Sequence, residues 1–330
     1  MAKRKSRKGM KLEPAVQTLS FSMVNNGTNY IDLSRSVSAL NRRFYRQGLN
    51  WAVGSIQFTL VGAGTGSVTV SKVPNTWMAA NAWKKAFAMW NKQQMRAIED
   101  SGAESAVAKF RDFKVFLDTG MLSATTQTSY ASPASNQILV PHDFQTVPDI
   151  VTEGEWEYSE IVVPNQVLDA SGSRIEPAEY KLHMVGVNDN GGFSRGIIEG
   201  YADSRAFPQS PDPVSPQIDS FNNWMRDMFD VGNENQEVTD NATDKNDDLP
   251  YDQVNYPGGE NNLAGTEIVG YSFLNNGSST GIGQSTVPGS NFPCGLIRLD
   301  SQLTGGFLNV QVRLVPGTHR GYLAEPMTEM

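Results

Sequence analysis

The chain has one cysteine in 330 residues, Cys294. A single thiol excludes an internal disulfide and a cysteine-rich zinc site, so neither a secreted disulfide scaffold nor a zinc fold is expected. Charged residues make up only 19%. No apolar run approaches the roughly 20 residues that span a bilayer, which predicts no membrane insertion. The basic start resembles a signal-peptide n-region, but Glu13, Pro14 and Gln17 break the stretch that follows, so a soluble chain of intracellular origin is expected. Phosphate-binding G-x-x-x-x-G-K-[ST] and the H-x-H pair of rolling-circle initiators are both missing, which removes the ATPase and replication readings. His142, His183 and His319 have no paired-ligand spacing, so a zinc hydrolase has no scaffold. No cofactor is expected.

What is present is asymmetric. Net charge is −8, yet residues 1–11 contain Lys3, Arg4, Lys5, Arg7, Lys8 and Lys11 and no acid, so the remainder carries −14. Residues 1–14 have almost nothing to bury and read as a disordered arm. Its cations can pair with phosphates and release counterions, giving sequence-independent, salt-sensitive affinity for nucleic acid. The same cluster suits a nuclear import signal. Arg42, Arg43 and Arg46 interleave with Phe44 and Tyr45, a composition that tracks a single-stranded backbone and stacks bases. The bland alternative is a core Phe44 with the arginines in ion pairs or at a subunit contact.

Residues 15–330 read as one β-rich domain. Leu19, Phe21 and Met23 alternate with polar residues, and Trp51, Val53, Ile56 and Phe58 do so less regularly. VGAGTG at 61–66 reads as a hairpin turn into SVTVSKV. Further strands are expected at Phe113–Leu117, Trp156–Val163, Tyr180–Val187, Gly196–Tyr201, Thr266–Phe273, Leu296–Leu299 and Phe307–Val315. About ten short strands between Gly, Pro and Asn turns suggest an all-β sandwich or jelly roll. One amphipathic helix interrupts them from Trp77 to about Asp100, with Trp83, Phe87, Trp90 and Ile98 on one side and Lys85, Lys92 and Arg96 opposite. A second helix is expected over Ile218–Phe229.

Residues 227–260 hold ten carboxylates against Lys245 and read as a long acidic loop insertion, about 227–262, exposed or at a subunit contact. Asp244, Asn246 and Asp248 imitate the opening of a calcium loop, but Leu249 stands at its glycine position and Asn255 at its glutamate position, so a solvated loop is the plainer reading. Gly192-Phe193-Ser194-Arg195-Gly196 matches the G-x-S-x-G nucleophile elbow. That elbow needs a strand before the serine and a helix after it, whereas the flanks NDNGG and IIEGY read as a hairpin entering a strand. No catalytic residue is assigned, and His142-Asp143 is read as a loop dipeptide.

Five phrases, NYIDLSRSVSALNRRFYRQG (29–48), VPNTWMAANAW (73–83), GIIEGYADSR (196–205), LPYDQVNYPGG (249–259) and VPGTHRGYLAEPM (315–327), resemble the capsid proteins of circovirus-like, replication-initiator-encoding circular single-stranded DNA viruses. The resemblance implies an eight-stranded viral jelly roll, an icosahedral homo-oligomer, a single-stranded DNA genome as partner, and residence in the virion and, during assembly, in the host nucleus. Host import machinery and a cell receptor are further partners it implies. An arm of six cations is short for that family. The rival readings are a carbohydrate-binding or carbohydrate-active jelly roll and a monomeric nucleic-acid-binding β protein.

Overall fold

A computed structural model of the chain describes residues 15–100, 102, 112–143, 149–152, 154–168, 174–187, 189–190, 194–205, 237 and 265–329. The basic arm, the helix expected over Ile218–Phe229, and Asp244, Asn246 and Asp248 lie outside these residues, as does all of the acidic segment except Glu237.

The chain is mostly β, built around one large curled mixed sheet. It begins with β1 (Thr18–Met23) and β2 (Asn26–Asp32), continues through helix α1 (Leu33–Asn41), and enters the 24-residue strand β3 (Leu49–Lys72). Helix α2 (Trp77–Asp100) follows, then a smaller sheet of β4 (Glu160–Leu168), β5 (Arg174–His183) and β6 (Ser194–Gly196), and helix α3 (Ile197–Arg205). The chain returns to the large sheet as β7 (Glu267–Asn276), β8 (Ile282–Pro293) and the 19-residue β9 (Leu296–Leu314).

The pairing explains the length of β3 and β9. They run antiparallel to each other from Ile297 opposite Lys72 to Leu314 opposite Val53. On the free side of β9, β2 lies against its first half and β1 against its second. On the free side of β3, β8 lies against residues 50–61 and β7 against residues 64–72. The result is four lanes, and all four break or bend at one level: between β1 and β2, at Gly62–Gly66, between β7 and β8, and at Gly305–Gly306. Gly305 and Gly306 have φ near +70°, a conformation that costs other residues, and the ladder slips there. The curl brings the two halves of the sheet face to face. A Cβ on Gly270 of β7 would collide with Val287 of β8, its counterpart in the other half.

VGAGTG is therefore a bend within one strand and not the hairpin turn expected from its glycines, because both flanks of β3 pair with neighbouring lanes rather than with each other. Likewise Leu296–Leu299 and Phe307–Val315, expected as two strands, are halves of β9.

Between the halves lies the main core. Leu19, Phe21 and Met23 are fully buried, as are Trp51, Phe58, Leu60, Val68, Leu299 and Val310. Each large apolar side chain removed from water contributes about 1.5–3 kcal/mol. The irregular alternation from Val53 to Ile56 has a cause: the register slips at Gly54, where Leu314 faces Val53 and Arg313 faces Ser55. One residue is thereby inserted and the inward-facing set is restored.

A second core gathers the segment inserted between β3 and β7. Trp83 and Trp90 of α2 meet Phe113, Val115 and Leu117, together with Met184, Ile197 and Ile198. Phe87 is 36% exposed although its ring stacks on Trp83 at 5.3 Å. Lys85, Lys92 and Arg96 face outward, as expected of a polar helix face. Phe113–Leu117 is extended but joins β5 through a single bridge, Phe116 to His183. Gly196–Tyr201, expected as a strand, is the end of β6 and the first turn of α3. Ile197 and Ile198 are both buried, and a short apolar run does not by itself distinguish strand from helix. His142 and Asp143 form a two-residue strand paired with Asp149–Ile150, so they are not a loop dipeptide. Among the described residues, no helix is long and apolar enough to cross a membrane.

Candidate nucleic-acid interface

The site begins at the end of α1. Asp32 caps this helix by accepting from the Arg35 N–H at 3.1 Å, and the helix stops at Arg42, whose φ of 54° is left-handed. The Arg42 N–H donates to the Ser38 carbonyl, closing the turn in the manner usually left to glycine. The Ser38 hydroxyl then accepts from the Tyr45 N–H at 2.9 Å. Tyr45 turns inward, 1% exposed, against Trp51 and Tyr322, and its hydroxyl donates to the Arg320 carbonyl. With Tyr45 fixed inward, Arg42, Arg43 and Arg46 all face outward and are exposed. The sequence alone left their direction open. At the surface they are open to an ion pair, a subunit contact or a phosphate backbone alike, whereas Phe44 is half-buried and Tyr45 is core.

A neighbouring strand extends this cationic face. Gln47 holds the Phe113–Leu117 segment alongside: its side chain donates to the Val115 carbonyl at 3.0 Å and accepts from the Val115 N–H at 2.6 Å. Lys114, between the inward Phe113 and Val115, therefore comes to the surface. Its Nζ lies 4.6 Å from the ring centre of Trp156 and 5.7 Å from that of Phe44, and these two rings are 6.2 Å apart. Ser159 donates from its N–H to the Lys114 carbonyl at 2.9 Å and accepts from the Lys114 N–H through its hydroxyl, tying the 156–160 segment to the same face. Arg320 completes the group by donating to the Phe44 carbonyl at 2.6 Å. The structure thus joins Arg42, Arg43 and Arg46 to Lys114, Trp156 and Arg320, none of which sequence reasoning selected. Alternation in FKVFL marks Lys114 as outward, but nothing local announces Trp156.

Acidic groups lie beneath and beside this surface. Asp112 accepts from the Gln47 N–H at 3.4 Å. Burial pushes its carboxyl up to about 6, against the opposing pull of Lys114 and Arg46. Deeper, Asp32 is fully buried and accepts from the Gln47 side chain at 3.0 Å. Burial raises its pKa, and the hydrogen bonds from Arg35 and Gln47 offset part of that rise.

Two clefts are lined by described residues. One, of about 710 Å³, adjoins Lys114 and Trp156. The other, of about 440 Å³, lies around Tyr30, Asp118 and Arg298. In the second the charges satisfy one another: Arg298 meets Asp118 and Asp300, each at 3.0 Å. Burial pulls the guanidinium pKa down, but Asp300, Tyr30 and Asp118 together outweigh it and the net shift is upward.

Ser194 of the G-x-S-x-G match sits in β6 with α3 directly behind it, so the strand expected after it is a helix. Before it, Asp189–Asn190 pairs antiparallel with Ser194–Arg195. The serine is fully buried, and its hydroxyl has no hydrogen-bond partner among the described residues, whereas a nucleophile elbow presents its hydroxyl to a substrate. Nor is there a cluster of three or more metal-ligating side chains among the described residues. No family model matches this chain, and neither a curated protein nor a solved structure matches it. The arrangement that stands out on geometry is a row of outward cations interleaved with aromatic rings, joined to an open cleft.

Proposed function

We propose that the chain is a coat-protein subunit that assembles into an icosahedral shell and packages circular single-stranded DNA. The observation that carries this reading is the order of strand pairing. Taken in chain order as β1, β2, the two halves of β3, β7, β8 and the two halves of β9, the eight segments pair first with eighth, second with seventh, third with sixth and fourth with fifth. The pairing of β3 with β9 then gives two four-stranded layers of order 1-8-3-6 and 2-7-4-5. An antiparallel ribbon rolled up in this way is a jelly roll, the architecture of many viral capsid and lectin domains. The six-cation arm and the outward Arg42, Arg43 and Arg46 favour the capsid over the lectin, because phosphate contacts need cations and sugars do not.

Assembly needs apolar surface left over after folding. Ile268, Tyr271, Phe273 and Ile282, on β7 and β8, are between 53% and 74% exposed. In this reading the arm also engages host import machinery, placing the protein in the nucleus during assembly and in the virion afterwards. The chain itself performs no catalysis. Purified protein, with and without single-stranded DNA, is expected to form closed particles by sedimentation and negative-stain microscopy across a salt and pH screen. Monomer under every condition overturns the proposal.

A further inference from the structure

We propose that the cleft beside Trp156 holds one unstacked base of a single-stranded nucleic acid, with the flanking phosphates on Lys114 and Arg46. The proposal rests on the reading that this protein binds single-stranded nucleic acid, and adds to it a site that recognises the base. The cleft, about 710 Å³, is walled by Trp90, Phe116, Trp156 and Tyr158 and bordered by Lys114 and Lys181. Its volume lies in the range of pockets that enclose a small organic ligand.

The distribution of charge decides which part of a nucleotide enters. Glu157 and Glu160 also line the cleft, and both are exposed. Two carboxylates repel a phosphate that goes inside, but they accept hydrogen bonds from the amino groups of a neutral base. Outside, the order reverses. Lys114 lies over Trp156 and Phe44, at the boundary between the cleft and the Arg42–Arg46 face, where a sugar–phosphate backbone meets cations, with the half-buried Asp112 the acid beside them. Lys181 lies 6.0 Å from the Phe116 ring at the other border. A site for phosphate alone has no need of aromatic walls. A base slotted against the Trp156 indole uses both features, since stacking onto an aromatic side chain is tolerant of sequence and adds to the phosphate contacts.

Two probes separate base from backbone. Full-length protein is titrated by fluorescence anisotropy with a labelled ten-nucleotide oligo-dC and with an abasic sugar–phosphate chain of equal length. Trp156→Ala is expected to weaken oligo-dC binding about tenfold, to leave the abasic chain unaffected, and to be largely rescued by Trp156→Phe. Lys114→Gln is expected to weaken both probes and to lower the salt slope by about 0.7. Melting curves for each variant verify folding, and tighter binding of oligo-dC than of the abasic chain by wild type keeps the test valid if Trp156→Ala unfolds, equal binding of the two overturning the base site. Equal binding of oligo-dC by wild type and Trp156→Ala, or equal loss of both probes in that variant, overturns the base site while leaving DNA packaging intact. If wild type binds neither probe, the packaging reading falls with it.

Discussion

The curled sheet and the segment inserted between β3 and β7 are held together by different means. In the sheet, fully buried Phe21, Phe58, Leu60, Val68 and Val310 face one another across the fold, and every lane is paired along most of its length. In the inserted segment, aromatic rings and polar side chains share the work. Gln47 locks the Phe113–Leu117 strand by its amide, Asp32 anchors Gln47, and Lys114 rests on Trp156 and Phe44. The first region is organised to keep its shape. The second, together with the α1–β3 turn it packs on, presents cations and rings to solvent, and the raised carboxyl of Asp112 makes it sensitive to pH. Stability and recognition are thus assigned to different parts of one chain.

The contrast is broken most severely in the sheet core. Phe58→Ala is expected to cost about 3–5 kcal/mol in denaturant unfolding, because Phe58 is fully buried between the halves. Gly66→Ala comes next, at about 2–3 kcal/mol. Its φ of +153° suits glycine and its added Cβ would meet the Gln302 carbonyl, a backbone atom that cannot swing aside. A loss below about 0.5 kcal/mol at Gly66, the range of an ordinary surface change, would show that the bend is plastic rather than set by close backbone approach.

The polar region is better probed by pH. The Asp112 carboxyl titrates near 6 when folded and near 3.9 when unfolded, so the folded state holds its proton more tightly. Its contribution to stability is full below about pH 4 and is lost as pH rises through 6. Asp112→Asn is therefore expected to flatten the decline in stability between pH 4 and 6, measured as the wild-type minus variant difference. An unchanged difference across that window would remove Asp112 from the account. The smallest effect belongs to Arg42. Arg42→Gly should leave stability unchanged or raise it by about 0.5 kcal/mol, since glycine adopts φ 54° freely. It should also lower the salt slope of DNA binding by about 0.7, so that thermal melting and binding move in opposite directions.

The elements with clean periodicity are legible in the sequence alone: β1 shows its buried face in Leu19, Phe21 and Met23, and α2 shows its helical period from Trp77 to Asp100. Glycine is the ambiguous letter. Gly62, Gly64 and Gly66 permit a tight hairpin and a bend within a strand equally well, and only the neighbouring lanes, contributed by residues more than 200 positions later, select the bend. Ile197-Ile198 is ambiguous for another reason, being apolar at both positions and too short to show a period. In the candidate interface the cations at 42, 43 and 46 can be read directly, but their direction depends on Tyr45 finding Trp51 and Tyr322. Lys114 and Trp156 are 42 residues apart in the chain and meet only because Gln47 and Ser159 hold their strands alongside, a contact without any local signature.

The pairing of β1 with the end of β9 also sets a timetable. Thr18 faces Arg313 and Met23 faces Leu308, so β1 waits on the ribosome for a partner made almost 300 residues later. At typical synthesis rates of ~5–20 residues per second, that wait is about 15–60 s. During it, the unsatisfied edge of β1 and the apolar side chains of β1 and β2 are exposed or held by something else. The long-range closure is also slow in itself, because the entropy of closing so large a loop is lost before any contact repays it. Completion of the sheet is thereby coupled to synthesis of β9, and a subunit truncated before Leu308 lacks the partner that β1 requires.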